Sequence, residues 1–483
     1  MLLRSILATS FFALILPPTI HAAPPEIAEL PGPVVIAGAG DLSKDAIEAF
    51  FTLAGKEKAK ILVIAPDGAN EEDVLKPWRE LKPASIAGVK SGEAQAAKSL
   101  DDATGVWVDG TKFASVEKSL RKFHTRGGVV GGGSALLDLG LLPGFHTKSE
   151  SGSVGLSLEA GAAIVIRGRT MRVIGEKHIT IRIAKGAGHP VAVQEAAAGS
   201  LFDLFQLRRA AANRAAKEPF PPAKPKEPVL EKGSLVIVGG GGTTPAIMNA
   251  FFEKAGGKDA LIVVIPTTAE DGPGDAAYIK KFGATNVKLL FTLDRKLADD
   301  PKFSETLTEA GGVWFGGGRQ WRFVDSFEGT LVEKRCHEVL ARGGVIGGSS
   351  AGASIQSEYM PRGHPLGNTV MAAEGYERGF GFLPGCAVDQ HFFARKRTAD
   401  MTGLMKDYPQ YLGIGIDEST AIVVTGSVAE VMGRSKVAFY DAKKPTQPDY
   451  EWDAGGHLVW FDRDYDEVKA GEKYDLKKRE KVK

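Results

Sequence analysis

Short, unbroken apolar runs recur along the chain, and amphipathic stretches of helical length separate them. The runs are rich in valine and isoleucine and end at glycine or proline, as at residues 34–37, 61–65, 235–238 and 261–265. Continuous apolar strands that alternate with helices are typical of a parallel sheet covered on both faces. The pattern therefore predicts a doubly wound α/β fold.

The same succession of runs occurs twice, which indicates an internal duplication. Residues 34–37 match 235–238 at an offset of 201, and the next matches follow at 200 (61–65), 207 (105–108), 216 (127–132) and 258 (155–159). The offset rises by 42 between the last two matches, so the second copy carries 42 extra residues between Ser354 and Leu412. We expect two tandem doubly wound parallel-sheet sandwich domains, with the chemistry in the extra segment.

These matches divide the chain into five parts. The prediction is a signal peptide at 1–23, an α/β domain at 31–190, a helix (191–216) and Pro-rich linker within 191–232, a second α/β domain at 233–465, and a charged, solvated tail at 466–483. The first part combines Arg4, an apolar stretch at 5–16 and a small residue at Ala22, which predicts export to a periplasm or the medium.

Composition narrows the classes of partner. The 483 residues carry a net charge of only +1, which argues against nucleic acid or an anionic membrane as the main partner. The two cysteines, Cys336 and Cys386, show no metal-ligand spacing, and we expect two buried thiols rather than a disulfide. The sequence predicts no metal and no cofactor, and it leaves the oligomeric state open, with a homodimer as one candidate.

The segment 347–353, Gly-Gly-Ser-Ser-Ala-Gly-Ala, fits the G-x-S-x-G nucleophile elbow. An apolar strand precedes it and a helix-like segment (353–359) follows, so the chain must turn sharply and push the Ser350 hydroxyl out over the sheet edge. The backbone N–H of Ala351 then points toward a developing oxyanion. The alternative is a plain Gly/Ser-rich strand–helix turn.

A serine nucleophile needs a base, and His391 is the leading candidate among nine histidines. It ends an Asp-Gln-His triplet after an apolar stretch, at the strand end where α/β sheets place their ligands. Its alternative is a core histidine, and His364 is the reserve candidate.

Three motifs together resemble cyanophycinase and its relatives, which include dipeptidase E. They are the elbow, the triplet Asp389-Gln390-His391 followed by Arg395 and Arg397, and residues 413–418, Gly-Ile-Gly-Ile-Asp-Glu. The resemblance covers roughly residues 233–441 and implies a fold like that of class I glutamine amidotransferases and a Ser–His–acid peptidase. It also implies that Gly318 helps to form the oxyanion hole, and that substrate is bound by Gln320, Asp389, Gln390, Arg395 and Arg397.

The acid of the triad is the open point. The family pattern places it about twenty residues after the serine, and three glutamates lie between Ser350 and Asp389: Glu358, Glu374 and Glu377. Glu374 is nearest to the expected spacing and is the predicted acid. The resemblance also has one departure, because Asp400 stands where cyanophycinases usually carry a third arginine, which puts cyanophycin itself in doubt as the substrate.

The first copy lacks most of this machinery. It keeps Ser134 at the elbow offset, but Leu136 replaces Gly352, Phe113 replaces Gln320, and the histidine segment falls in the missing 42 residues. We therefore expect an inactive duplicate. The glycine runs at 38–40 and 239–242 do not complete G-x-G-x-x-G, so dinucleotide binding is rejected.

These observations predict an exported serine peptidase that hydrolyses peptide or isopeptide bonds in aspartyl-containing peptides, such as cyanophycin or β-aspartyl dipeptides. A non-catalytic exported peptide-binding protein is the main alternative, and an amidase or esterase on the same elbow is the second.

Overall fold

The computed structural model describes residues 29–483 except 41, 67, 91–98, 111–115, 187, 268–273 and 453–454. The predicted signal peptide lies outside the described residues. Within them, no helix combines the length and the apolar character needed to cross a membrane.

Residues 34–215 form the first structural unit. Its strands are β1 (Val34–Ala37), β2 (Lys60–Ala65), β3 (Ser85–Lys90), β4 (Gly105–Val108), β5 (Val129–Gly133), β6 (Phe145–His146), β7 (Val154–Leu158), β8 (Ala162–Arg167), β9 (Thr170–Gly175), β10 (Ile179–Ile183), β11 (Ala192–Ala196) and β12 (Leu201–Asp203). Its helices are α1 (Lys44–Ala54), α2 (Glu71–Arg79), α3 (Glu117–Thr125) and α4 (Leu204–Ala215), with 3-10 turns at Lys56–Lys58 and Ser134–Leu139. An eight-stranded sheet has the order β3-β2-β4-β5-β1-β8-β9-β12, and a four-stranded sheet has the order β6-β7-β10-β11.

Residues 234–481 form the second unit. Its strands are β13 (Ser234–Val238), β14 (Ile262–Ile265), β15 (Val287–Leu289), β16 (Gly312–Phe315), β17 (Val345–Ser349), β18 (Ser357–Tyr359), β19 (Leu383–Gln390), β20 (Leu412–Ile416), β21 (Thr420–Thr425), β22 (Val428–Gly433), β23 (Lys436–Tyr440), β24 (Gln447–Trp452), β25 (Leu458–Arg463), β26 (Asp466–Lys469), β27 (Lys473–Asp475) and β28 (Glu480–Lys481). Its helices are α5 (Pro245–Ala255), α6 (Gly274–Lys281), α7 (Arg295–Ala298), α8 (Gln320–Phe327), α9 (Leu331–Ala341), α10 (Ala351–Ser354) and α11 (Thr398–Asp407), with a 3-10 turn at Glu305–Thr308. The large sheet runs β15-β14-β16-β17-β13-β21-β22-β27-β28, the smaller one runs β18-β19-β20-β23-β26, and β24 pairs with β25.

The predicted α/β class is confirmed, but the large sheets are mixed rather than fully parallel. In each, five parallel strands are extended by antiparallel strands that begin with β8 or β21. The central apolar runs are buried on both faces, which is why they read as continuous rather than alternating.

The first seven strands of the two large sheets follow one order, and the corresponding strand pairs share one register. Val34 pairs with Val130 in the first sheet, and Leu235 pairs with Ile346 in the second, at the offsets of 201 and 216 that the sequence gives. This agreement supports the proposal that the chain arose by tandem duplication.

The 42 extra residues of the second unit fall in two pieces. Phe145 pairs with Val154 in the first unit, and Cys386 pairs with Leu412 in the second, so β6 corresponds to the start of β19 at an offset of 241. Because the offset is 216 at the elbow and 258 at β20, about 25 extra residues precede β19 and about 17 follow it. The prediction that the first copy lacks the whole histidine segment is therefore too broad: the strand is present but short, and Glu150 stands at the offset of His391.

Two predicted segments are wrong. The helix expected at 191–216 begins only at Leu204, because residues before it pair as β11 and β12 and the Asp203 side chain caps the helix by accepting from Gln206 N. The charged end at 466–483 is not a solvated tail. Strand β26 pairs with β23 in the smaller sheet, strand β27 pairs with β22 in the large sheet, and Tyr474 and Leu476 are fully buried. Most residues of these strands are charged and lie on the exposed face, so the sequence does not show a clear alternation of apolar and polar positions. Cys336 and Cys386 are both buried and unpaired.

Candidate active site

Ser350 occupies the sharp turn between β17 and α10. Its backbone has φ 57° and ψ −111°, a left-handed conformation that is strained for any residue with a side chain. Its N–H donates to Val238 O at 3.0 Å, which fixes the turn against the end of the neighbouring strand β13. Gly352 passes so close to the Phe315 carbonyl that a side chain at 352 would overlap it. The local geometry is that of a nucleophile elbow.

His391 follows β19 directly and faces the serine. Its backbone N–H donates to Gly239 O at 2.7 Å, and its Nε2 lies 2.9 Å from Ser350 Oγ. Strands β13 and β17 of the large sheet and strand β19 of the smaller sheet all end here, so the fold brings together residues that are 41 positions apart. This is the pairing that the sequence predicts.

Glu418, not Glu374, lies against the imidazole. Glu418 Oε1 is 2.6 Å from His391 Nδ1. A carboxylate can only accept, so Nδ1 carries the proton and Nε2 is left with a lone pair to accept from the serine hydroxyl. Glu418 comes two residues after β20, which pairs with β19. This pairing of strands brings Glu418 to His391, and counting residues from the serine does not predict it.

The three glutamates considered from sequence serve elsewhere. Glu374 accepts from the Arg214 guanidinium of the first unit, with one contact at 2.9 Å. Glu358 lies in β18 and accepts from Gly385 N and the Tyr411 hydroxyl. Glu377 is buried and accepts from Tyr359 Oη at 3.4 Å. The reserve base His364 is engaged within its own loop, where its Nδ1 accepts from Leu366 N.

The glycine-rich turn after β13 makes room for the histidine and its acid. Gly240 has φ 101°, and a Cβ there would overlap the His391 imidazole. A Cβ at the next residue, Gly241, would overlap the Glu418 side chain. The absence of side chains here is a packing requirement of the Ser–His–Glu cluster, which explains a glycine run that fits no dinucleotide motif.

Burial lowers the pKa of His391 below its ordinary value of 6.5. The hydrogen bond to Glu418 opposes this shift, and the positive charges of Arg395 and Arg397 add to it. The imidazole is consequently neutral at neutral pH, which is the state that a general base requires.

Residues 316–318 pass beside the nucleophile. A Cβ on Gly317 would be 3.8 Å from Ser350 Cβ, and the Thr267 hydroxyl donates to Gly317 O and fixes the turn. Gly317 and the buried Ala351 thus lie next to the serine, and Gly318, with φ 131°, follows Gly317 in the turn.

The predicted substrate-binding residues divide into two groups. Gln320, Asp389 and Arg397 are buried and engaged within the protein: Arg397 Nη1 donates to Asp389 Oδ1 at 2.8 Å, and Gln320 Nε2 donates to Pro361 O at 2.9 Å. Gln390 is buried, and its Oε1 has no partner among the described residues, whereas Arg395 is exposed.

Arg362 is a member of this cluster that sequence reasoning missed. It is buried, and its guanidinium donates to Asp389 Oδ2 at 3.0 Å and to Asp400 Oδ2 at 2.6 Å. Asp400, the departure from the family pattern, therefore has an arginine partner from the inserted segment. No local motif marks Arg362, because it lies 27 residues before Asp389 in a loop.

The sequence profile of Peptidase family S51 matches residues 230–432. The cyanophycinase of Geminocystis herdmanii is 31% identical over 204 residues, which cover 41% of this chain and 75% of that protein. This chain belongs to peptidase family S51. The cyanophycinase of Synechococcus elongatus is likewise 31% identical, over 42% of this chain and 66% of its own length. A solved peptidase from an acI-B1 Actinobacterium aligns with 50% of this chain at 24% identity and a TM-score of 0.39.

Membership in family S51 makes the chain a serine-type peptidase, and the match falls on the second unit alone. In the first unit Ser134 starts a 3-10 turn instead of an elbow, and Ala160 stands at the offset of Glu418. Within the described part of the chain, a Cβ on Gly40, the counterpart of Gly241, would meet only the Ala160 methyl group, at 3.5 Å. The first unit thus has a small apolar side chain where this S51 unit holds its carboxylate.

Proposed function

We propose that this chain is an exported S51 peptidase that cleaves peptide or isopeptide bonds in aspartyl-containing peptides, with Ser350, His391 and Glu418 as its triad. One observation carries the proposal: the line of contacts from Ser350 Oγ to His391 Nε2 at 2.9 Å and from His391 Nδ1 to Glu418 Oε1 at 2.6 Å. Both distances are those of hydrogen bonds, and the three side chains follow one another as in a Ser–His–acid triad.

The chemistry follows from these positions. Ser350 Oγ attacks the scissile carbonyl carbon while its proton passes to His391 Nε2, and Glu418 stabilises the imidazolium that forms. The carbonyl oxygen gains the negative charge and accepts from the N–H groups of Gly318 and Ala351. The C–N bond then breaks as His391 returns the proton to the amine. Water, deprotonated by His391, attacks the resulting ester and releases the acid and the free serine.

The named relatives support the substrate class. Two relatives that share about two thirds or more of their length with this chain are cyanophycinases. Exposed Arg395 supplies a guanidinium that suits a substrate carboxylate. Asp400 stands where cyanophycinases usually carry a third arginine, and for this reason we favour β-aspartyl dipeptides over cyanophycin.

A direct test incubates the purified full chain with β-aspartyl dipeptides and with cyanophycin, and reads the products by mass spectrometry. We expect cleavage at the aspartyl bond by the wild type and none by Ser350→Ala. A fluorophosphonate probe should label Ser350 and leave Ser134 unlabelled. Cleavage by Ser350→Ala at the wild-type rate would remove the serine from the mechanism.

Export rests on the sequence of residues 1–23. Arg4, the apolar stretch that follows and Ala22 support a cleaved signal peptide. Expression in a bacterium followed by fractionation and N-terminal sequencing tests it; a cell-internal protein that retains Met1 would contradict export.

A further inference from the structure

Three arginines of the first unit reach across to the second. Arg169, in the turn between β8 and β9, donates to Asp325 Oδ2 at 2.8 Å, and its guanidinium lies 4.4 Å from the ring centres of both Phe205 and Trp321. On helix α4, Arg209 pairs with Glu328 and Arg214 pairs with Glu374. The side chains of all three arginines are at least four-fifths buried, so these contacts lie inside the protein and are not exposed surface ion pairs.

Two of these arginines hold the first inserted piece of the catalytic unit, around residues 374–376. Arg209 Nε donates to Gly375 O at 2.7 Å, and its guanidinium stacks 4.7 Å from the Tyr376 ring centre. A side chain at Gly375 would overlap α4, with its Cβ only 2.9 Å from Ala210 N. The inserted piece is thus fitted against the helix of the inactive unit.

From there a short path leads to the catalytic edge. Glu377 O accepts from Met360 N at 2.6 Å, and Met371 O accepts from Arg362 N at 3.0 Å. The first bond joins the residue after the anchored stretch to the residue before the segment 361–367, which we name the wall segment. The second bond joins the wall segment to Met371 of the same inserted piece. Arg362, at its start, is the buried partner of Asp389, two residues before the base.

The wall segment is also bonded to the residue that follows the glycine turn at 316–318. Arg319 Nη2 donates to His364 O at 2.5 Å and to Gly367 O at 2.7 Å. Arg319 directly follows Gly318, so its side chain links the wall segment to the glycine turn at 316–318. Arg319 of the catalytic unit holds the wall segment. The first unit holds residues 374–376, which lie further along the same inserted piece.

We propose that the inactive unit positions the substrate-binding wall of the active one, and that Arg214 is a positioning residue for catalysis through Glu374. The proposal rests on the function proposed above. An inserted loop of about 25 residues carries a large conformational entropy that must be removed before it can present one surface to a substrate. Anchoring its far end on α4 removes part of that entropy in advance, which favours binding.

The pair Arg214–Glu374 is better suited to mutation than Arg209–Glu328. Glu374 keeps 29% of its side chain exposed, whereas Glu328 keeps only 12% and would be left as a buried, unpaired charge if Arg209 were removed. The test therefore uses Arg214→Ala, Glu374→Gln and the double variant in the full chain. Arg126→Ala is the control, because Arg126 is an exposed arginine that pairs with Asp101 inside the first unit.

We expect Arg214→Ala and Glu374→Gln each to raise KM for a β-aspartyl dipeptide about tenfold, with kcat changed less than about threefold. The double variant should be no worse than either single variant, because both remove the same contact. Labelling of Ser350 by a small fluorophosphonate, which needs the triad and not the wall, should keep its wild-type rate. Arg126→Ala should match the wild type in every measurement.

Unchanged KM in both single variants, with only a lowered unfolding midpoint, would overturn the proposal and leave the contact a structural one. A proportional loss of fluorophosphonate labelling would also overturn it, because the effect would then lie on the triad. Hydrogen exchange of residues 362–367 provides a readout independent of turnover: faster exchange in Arg214→Ala is expected, and unaltered exchange contradicts the positioning role. If the wild type cleaves no peptide while that exchange still responds, the proposed function fails and the anchoring stands.

Discussion

Replacing Glu418 with glutamine separates the acid seen in the structure from the acid that sequence spacing suggests. Glu418 Oε1 is 2.6 Å from His391 Nδ1, so the substitution removes a charge-assisted hydrogen bond. A hydrogen bond to a charged group contributes about 1.5–3 kcal/mol, and each 1.36 kcal/mol is about tenfold in rate. The loss from this bond alone is therefore about 10- to 150-fold in kcat.

Two further effects act in opposite directions. The glutamine amide can donate to Nδ1 and so favour the tautomer whose Nε2 carries the proton, which cannot accept from Ser350. Against this, 40% of the Glu418 side chain is exposed, and water screens part of its charge. We expect a loss of about 100-fold in kcat with KM nearly unchanged. Glu418→Ala should be less damaging, because water can enter and accept from Nδ1.

The assay is the initial rate of β-aspartyl dipeptide cleavage over a range of substrate concentrations, with Glu374→Gln measured in parallel. Glu374→Gln should alter KM and leave kcat within about threefold. If Glu418→Gln keeps its kcat and Glu374→Gln loses about 100-fold, then the spacing rule is right and the geometric assignment is wrong.

Three other predictions concern the surroundings of the site. Gly240→Ala drives a Cβ into the His391 ring and should cost about 100-fold in kcat, whereas Gly242→Ala, at a similar positive φ but with open space around it, should cost only stability; equal activities would refute the packing argument. Arg395→Ala removes a positive charge that lowers the pKa of His391, so the acidic limb of the kcat/KM profile should move to higher pH, and a limb that stays in place contradicts this. Burial raises the pKa of Glu333 from 4.5 to about 8, so the folded state retains a proton that the unfolded chain releases in that window. The free energy of unfolding should therefore fall between about pH 5 and 8, and Glu333→Gln should flatten the slope in urea titrations.

The sequence by itself determined the layered α/β fold, the repeat and the two residues whose roles depend on local context. Continuous valine- and isoleucine-rich runs determined the buried strands, and a glycine-flanked serine between a strand and a helix determined the elbow. The triplet at the end of β19 determined His391, because a residue at the carboxyl end of a parallel strand is already placed at the ligand edge.

Tertiary structure decided the rest, because the remaining choices depend on which strands and units lie side by side. Glu418 became the partner of His391 because β20 is the neighbour of β19, an adjacency that no count of residues along the chain reveals. Glu374 lost that role because α4 of the first unit brings Arg214 to it. The strands at the charged carboxyl end formed because alternate residues there meet the cores of sheets whose other strands are far away in sequence. Contacts of this kind join residues that are far apart in the sequence. In a single sequence the residues that make them appear only as isolated charged residues and glycines.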